Sequence, residues 1–206
     1  IVRSSNYTLY GDLSRRVMSI LREAVPSIEI YSIDEAYLDL TGIDAAQHRR
    51  LCLDIVRKVR QWTGIPVSIG IANTKTLAKV ANHFAKKYPG YRGVCTIDSE
   101  EKRLKALSLT PVADVWGIGR RVAPKLESIG IGTALDFTNM SREWVRSRLG
   151  LGGERTWMEL RGVETIPASS EQARQSICTS RSFADQITSL DELRLRVADF
   201  AAICAK

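Results

Sequence analysis

Apolar and polar positions alternate along this chain in two different periods, and the switch between them marks out its elements. In "LYGDLSRRVMSILREAVP" the apolar residues Leu13, Val17, Ile20, Leu21 and Ala24 recur at the three-and-four spacing of one helix face, and Pro26 closes the run. Two short strand-like runs follow, 28–33 and 36–41, too close together for anything but a hairpin, with Asp34 and Glu35 at its tip. "HRRLCLDIVRKVRQW" returns to helical spacing through Leu51, Ile55, Val59 and Trp62. "GIPVSIGIA" then alternates Val67, Ile69 and Ile71 as a strand, with Pro66 at its mouth, where proline is tolerated. A helix from about Thr74 to Lys87 and a strand at 93–97 complete the series. The order is α β β α β α β. One strand placed in front makes most of it the split βαβ, ferredoxin-like layout, with helices over one face of an antiparallel sheet. The fold class expected is therefore α+β.

From Thr110 the strand alternation stops. Glycines separate short helical patterns in "TPVADVWGIGRRVAPKLESIGIGTALDF", and further helices are expected near Ser141–Leu149 and Glu154–Arg161. Residues 1–109 and 110–166 thus read as an α+β domain followed by a small all-helical one. The polar stretch at 167–176 reads as a linker. Beyond it, "SICTSRSFAD" could form a strand, and "SLDELRLRVADFAAICAK" begins as a capped amphipathic helix. Two such elements are too few for an independent core, so 177–206 reads as the start of a third domain. The chain opens at Ile1 and closes at Lys206 inside a helical pattern, as expected of an internal piece of a longer protein that has lost its first strand.

Composition narrows the function classes. With 44% hydrophobic and 26% charged residues, the 206-residue chain is ordinary for a globular protein. No apolar run reaches the ~20 residues that a membrane span needs, so no membrane partner is expected. The four cysteines are scattered without a CxxC pair, which suits reduced thiols in a cytosolic protein. The net charge of +7 suits a polyanionic partner. That charge sits in the first half: 17 basic against 11 acidic residues over 1–109, and 8 against 7 over 110–166.

Three groups of residues carry candidate chemistry. Adjacent carboxylates repel, yet "YSIDEAYLDL" sets Asp34 and Glu35 together inside a hydrophobic run. A hairpin tip presents them at the sheet surface, where magnesium, a taker of carboxylate and phosphate oxygens, would relieve the repulsion. An exposed polar turn is the plainer reading of the same residues, and Asp39 reads as a solvated or capping carboxylate. On the helix "NTKTLAKVANHFAKK", Lys75, Lys79, Asn82 and Lys86 share one face, a basic stripe able to hold a triphosphate or a DNA backbone. A solvated amphipathic face is its plainer reading, and His83 is taken as structural. In "VWGIGRRVAPKLESIGI", Gly117 and Gly119 precede a helix, with Arg120, Arg121 and Lys125 adding positive charge. This pattern fits a helix-hairpin-helix that holds DNA phosphates without reading sequence.

"YSIDEAYLDLTG", "SIGIANTKTLAKVANHFAKK" and "VWGIGRRVAPKLESIGI" occur in this order, and together they closely resemble the Y-family translesion DNA polymerases, nearest to the bacterial UmuC type of DNA polymerase V. "SSNYTLYGDLSRRVM" and "SICTSRSF" resemble the same subgroup, so the likeness runs along essentially the whole chain. It implies a palm at 1–109, a thumb at 110–166 and the opening of a little finger from about 177. It also implies that Asp34 and Glu35 hold catalytic Mg2+ in a two-metal site, and that Lys86 reaches the triphosphate of an incoming nucleotide. Lys75, Lys79, Gly117, Gly119, Arg120 and Lys125 would contact DNA. The implied reaction is error-prone, DNA-directed synthesis past lesions in the SOS response, by attack of a primer 3′-hydroxyl on a deoxynucleotide. Primer-template DNA, deoxynucleoside triphosphates, a processed UmuD-type subunit, a RecA-type filament and a sliding clamp are the partners implied, in a bacterial, nucleoid-associated cytoplasmic setting.

The departures from the family pattern bear on activity. A further metal-ligand aspartate and a bulky residue that excludes ribonucleotides belong to the family's first strand, which this sequence does not contain, and the fingers are missing as well. The fragment by itself is therefore expected to show little or no synthesis. Two alternatives stand beside this reading. One is a non-catalytic DNA-binding module that uses the helix-hairpin-helix and the basic helix. The other is a nucleotide cyclase, which shares the palm layout but has no use for a duplex grip.

Overall fold

A computed structural model describes residues 4–167 and 176–205. The chain divides into two compact units, Ile1–Ala168 and Ser169–Lys206. Most of the expected linker at 167–176 lies outside the described residues.

The first unit opens with α1 (Tyr7–Ala24), whose start is set by Asn6: its side chain accepts the Leu9 amide at 3.0 Å. Strands β1 (Ser27–Ile30) and β2 (Ala36–Asp39) form the expected antiparallel hairpin, with Ile30 opposite Ala36. Helix α2 (Ala45–Thr63) runs from an Asp44 cap to Gly64, which adopts φ +76° and donates its amide to the Arg60 carbonyl. Met18, Ile20 and Leu21 of α1 pack with Ile55 and Val59 of α2, and Ile28 and Leu38 of the hairpin close over them. Trp62, expected on the packed face, is instead 61% exposed, and the Lys58 ammonium lies 4.3 Å from its ring centre. It falls in the last turn of α2.

Strand β3 (Ile69–Ile71), helix α3 (Lys75–Lys87) and strand β4 (Val94–Thr96) form a crossover, and β3 and β4 pair in parallel, Ile69 opposite Val94. This corrects the expectation of one antiparallel sheet. A helix between two strands returns the chain in its original direction, so the second strand adds in parallel. The described strands form two separate two-stranded sheets, and a cleft of about 1540 Å³ opens between them. Gly70 lets α3 lie directly on β3: a Cβ there would stand 2.0 Å from the Ala78 carbonyl oxygen and 2.2 Å from the Asn82 amide.

Helix α4 (Glu100–Leu109) was not legible as a pattern, because only Ala106 and Leu107 are buried while Leu104 and Leu109 face solvent. Ser99 caps it. Then come two short helices, α5 (Ala123–Glu127) and α6 (Ala134–Thr138), and the longer α7 (Arg142–Leu160). Gly150, at φ 68° and ψ −162°, breaks α7 into the two segments that the sequence suggested. One core runs from Leu77, Phe84 and Leu107 to Val115, Phe137 and Leu160, so it crosses residue 110 without interruption.

In the second unit, α8 (Leu190–Cys204) starts at the Ser189 cap as expected and has no buried residue among those described. "SICTSRSFAD" forms no strand there. With no partner strand among the described residues, its backbone has nothing to pair with.

Candidate active site

The hairpin tip is built by backbone groups that converge on one carbonyl. The amides of Tyr31 and Ser32 both donate to the Glu35 oxygen at 3.0 Å, and the Ser14 hydroxyl of α1 donates to the Ile33 oxygen at 2.5 Å. The turn holds the two acids outward. Ser32 fastens the first of them: its hydroxyl donates to Asp34 Oδ1 at 2.6 Å and accepts the Asp34 amide at 3.3 Å. Both acids are exposed and both line the cleft. The hydrophobic run therefore does not bury its carboxylates: Ile28 and Leu38 pack inward, while the turn leaves Ile33, Asp34 and Glu35 exposed.

Helix α3 faces them across the cleft. Thr74 caps it, accepting the Leu77 amide at 3.3 Å, and the close seat on Gly70 fixes which side of α3 looks into the cleft. Lys79 Nζ stands 2.8 Å from Glu35 Oε1. Lys75 Nζ stands 2.6 Å from Glu29 Oε2 and 2.8 Å from the Pro167 oxygen, and both side chains of that pair are largely buried. The basic stripe is thus already answered in part by carboxylates of the hairpin. Asn82 also lines the cleft, and its Oδ1 is buried without a hydrogen-bond partner among the described residues. Lys86 is exposed on the last turn of α3 and does not line the cleft with the other three. His83 is exposed.

An aromatic group joins the hairpin to the turn that follows α4. The Tyr31 and Trp116 rings meet edge to face at 5.7 Å, with Tyr37 6.0 Å from Tyr31. The Lys79 ammonium lies 5.1 Å from the Tyr31 ring centre and 5.2 Å from that of Trp116. Burial, and next to it the Glu35 charge, pushes the Tyr37 phenol far above its ordinary range. Asp39 is a turn cap: it accepts the Thr41 amide at 2.9 Å, and its bonds to Thr41 hold its carboxyl below the usual range.

The glycine turn after Trp116 divides in role. Gly117 has φ +94°, and a Cβ there would lie 2.4 Å from Thr156 Oγ1, so glycine is required. Gly119 has open space around it and no such φ. The helix expected at once begins only at Ala123 and is five residues long, with Gly119 accepting the Val122 and Ala123 amides before it. Ahead of the turn stands a single 3-10 turn, Val112–Asp114. Arg120, Arg121 and Lys125 are exposed, and none forms an ion pair with a described residue.

Several working residues gave no signal in the sequence. Glu29 reads as an ordinary strand residue until α3 brings Lys75 to it. Glu159 lies in a helical pattern, yet it is fully buried and bonded to the start of α3. Ser32 alone had a readable signal, a hydroxyl two residues before an aspartate in a turn.

Among the described residues, no group of three or more His, Cys, Asp or Glu side chains is placed to hold a metal ion. Asp34 and Glu35 remain as a pair. Their oxygens are hard donors, exposed at a cleft mouth and open to water and phosphate, which suits magnesium. No described helix is long and apolar enough to cross a membrane.

Known proteins resemble this chain in sequence and in fold. Residues 1–83 match the impB/mucB/samB family. Protein UmuC of Salmonella typhimurium is 44% identical over 209 residues, covering 98% of this chain and 49% of its own length. DNA polymerase IV of Pseudomonas putida is 31% identical over 204 residues, covering 98% of this chain and 56% of its own. The chain spans about half the length of the curated relatives it matches. Among solved structures, an insertion ternary complex of Dbh DNA polymerase superposes with a TM-score of 0.63 at 26% identity, covering 75% of this chain and 44% of that one. Sequence and fold agree, and the chain belongs to the UmuC/ImpB/MucB/SamB group of the Y-family DNA polymerases.

Proposed function

We propose that this chain supplies the palm (1–109), the thumb (110–166) and the opening of the little finger (177–206) of an error-prone translesion DNA polymerase, acting on primer-template DNA and deoxynucleoside triphosphates. The observation that supports it most is the acid pair at the hairpin tip, held by Ser32 and faced across the cleft by Lys79, in a chain so similar to UmuC.

Asp34 and Glu35 offer the carboxylate oxygens that would hold Mg2+, with a further ligand expected from a segment ahead of Ile1. Ser32 engages Oδ1 of Asp34 and no described residue donates to Oδ2, so this acid is oriented and still open. Bound at this pair, two magnesium ions would activate a primer 3′-hydroxyl and stabilise the charge on departing pyrophosphate. The protein's own part is electrostatic and positional. Lys86, on an exposed last turn, has the reach and freedom to meet a triphosphate, while Lys75 and Lys79 hold the hairpin acids in register and lend positive charge to the cleft wall. Gly117 turns the backbone, and Arg120 and Lys125 stand free to contact DNA phosphates on a hairpin thumb. A UmuD-type subunit, a RecA-type filament and a sliding clamp belong to the proposal as partners of the longer protein, in a bacterial cytoplasm at the nucleoid.

The test is primer extension across an abasic site, using the chain extended at both ends to the length of its relatives, beside Asp34→Ala, with magnesium and with chelator. Magnesium-dependent extension lost in the variant is expected. Equal extension by both proteins overturns the site. DNA binding without extension by either protein turns the reading to a non-catalytic DNA-binding module. The 206-residue chain alone is expected to extend little or nothing.

A further inference from the structure

We infer that Lys79 is a built-in counter-ion of Glu35, whose charge a divalent metal must compete with when it binds that carboxylate. The inference rests on the proposal that Asp34 and Glu35 hold metal, and it adds how access to that site is controlled.

The two acids at the tip are in different states. Asp34 is held by a neutral hydroxyl through one oxygen and has no cationic partner among the described residues. Glu35 is paired through Oε1 to an ammonium at 2.8 Å. Neither is protected by burial: the Glu35 side chain is 44% exposed, so a hydrated ion can approach it. Each acid keeps one oxygen without a described partner, but only Glu35 carries an opposing positive charge.

The ammonium is held from more than one direction. Its side chain is only 21% exposed, and the rings of Tyr31 and Trp116 lie within cation–π distance. Glu29 is taken by Lys75. A divalent ion on Glu35 Oε2 and the ammonium on Oε1 repel each other across one carboxylate. The pairing offsets the acid–acid repulsion at the tip and weakens the hold of the site on a divalent ion.

The test is Mn2+ binding to the chain extended at both ends to the length of its relatives, without DNA or nucleotide, read from the electron paramagnetic resonance of free Mn2+. Four proteins are compared: wild type, Lys79→Met, Lys79→Arg and Asp34→Asn, each checked for folding by circular dichroism. Lys79→Met keeps the aliphatic stem and removes the charge, so it is expected to bind Mn2+ about twofold to fivefold more tightly, the range of a partly exposed ion pair. Lys79→Arg keeps the charge and is expected to bind like wild type. Asp34→Asn is expected to lose binding. If Lys79→Met binds no more tightly than wild type while Asp34→Asn loses the ion, the counter-ion role is wrong and the metal site stands. If no protein binds Mn2+, or Asp34→Asn binds as wild type does, the metal site falls and the counter-ion role with it. Should Lys79→Met not fold, Lys79→Gln takes its place with the same expectations.

Discussion

The buried carboxylate of Glu159, near the end of α7, accepts the amide of Thr76 at 3.0 Å and so caps the start of α3. Its other oxygen accepts the amides of Thr165 and Ile166 at 2.8 and 3.1 Å, and the Glu159 main-chain oxygen accepts the Thr74 hydroxyl at 2.8 Å. One side chain from the proposed thumb thereby sets the first turn of the helix that carries Lys75 and Lys79. A carboxylate suits a helix start, where amides point outward and the dipole is positive.

Removing that carboxylate is expected to be costly. Glu159→Ala leaves three amides without their acceptor, at about 1–3 kcal/mol for each that stays dry. Urea denaturation should show a loss of at least about 3 kcal/mol, whereas Glu159→Gln, which keeps an acceptor, should lose clearly less. A loss for Glu159→Ala within the ordinary surface range of about 0.5 kcal/mol would mean that water replaces the carboxylate freely.

The glycines separate in the same assay. Gly70→Ala puts a methyl into the backbone of α3, which cannot yield as a flexible side chain could, and the chain is expected to fail to fold or to lose several kcal/mol, roughly 3 or more. Gly119→Ala meets nothing within 4 Å and is expected to be neutral within about 0.5 kcal/mol. Gly117→Ala falls on the costly side, through both its φ and Thr156. Equal effects at 70 and 119 would contradict the close seating of α3 on β3.

Glu154 gives a prediction in pH. It bridges Arg142 and Arg146, each at 2.6 Å, and these bonds hold its carboxyl below its ordinary value of 4.5. A folded-state value below the unfolded one means that the unfolded chain takes up the proton first. The stabilisation is therefore full above 4.5 and is lost as pH falls through the lower, folded value. Thermal melts of wild type and Glu154→Gln should differ at pH 7 and converge as pH falls from 4.5 through that lower value. A difference that persists or grows in acid would show that the pair contributes through something other than its charge.

Arg120 and Lys125, exposed cations of the proposed thumb, are testable without catalysis. Each phosphate contact released by a substitution should lower the slope of log affinity against log salt by about 0.9 on duplex DNA. Arg120→Ala and Lys125→Ala are expected to reduce the slope by about that much each, whatever the DNA sequence. Lys75→Met should leave it unchanged, because Glu29 and the Pro167 oxygen already hold that ammonium. A fall in slope only for Lys75→Met would move the DNA contact from the thumb turn to the cleft.

What the sequence determined by itself is local. The hairpin with Asp34 and Glu35 at its tip, the span of α3 and its Thr74 cap, and the break at Gly150 follow from period, turn chemistry and caps, which act over a few residues. Tertiary structure decided the partners. Lys75 and Lys79 look alike on the helix face, yet one is buried against Glu29 and the other meets Glu35, 46 and 44 residues away. Glu159 reads as a surface residue of a helix until the first turn of α3, 83 residues earlier, needs an acceptor. Trp62 follows the apolar stripe but finds no surface to cover. The parallel pairing of β3 and β4, the seat on Gly70 and the aromatic contact of Tyr31 with Trp116 depend on how layers stack. Periodicity says which face of an element is turned inward. Which charge, ring or amide waits there is set by chain segments far away in sequence, through packing that no local pattern encodes.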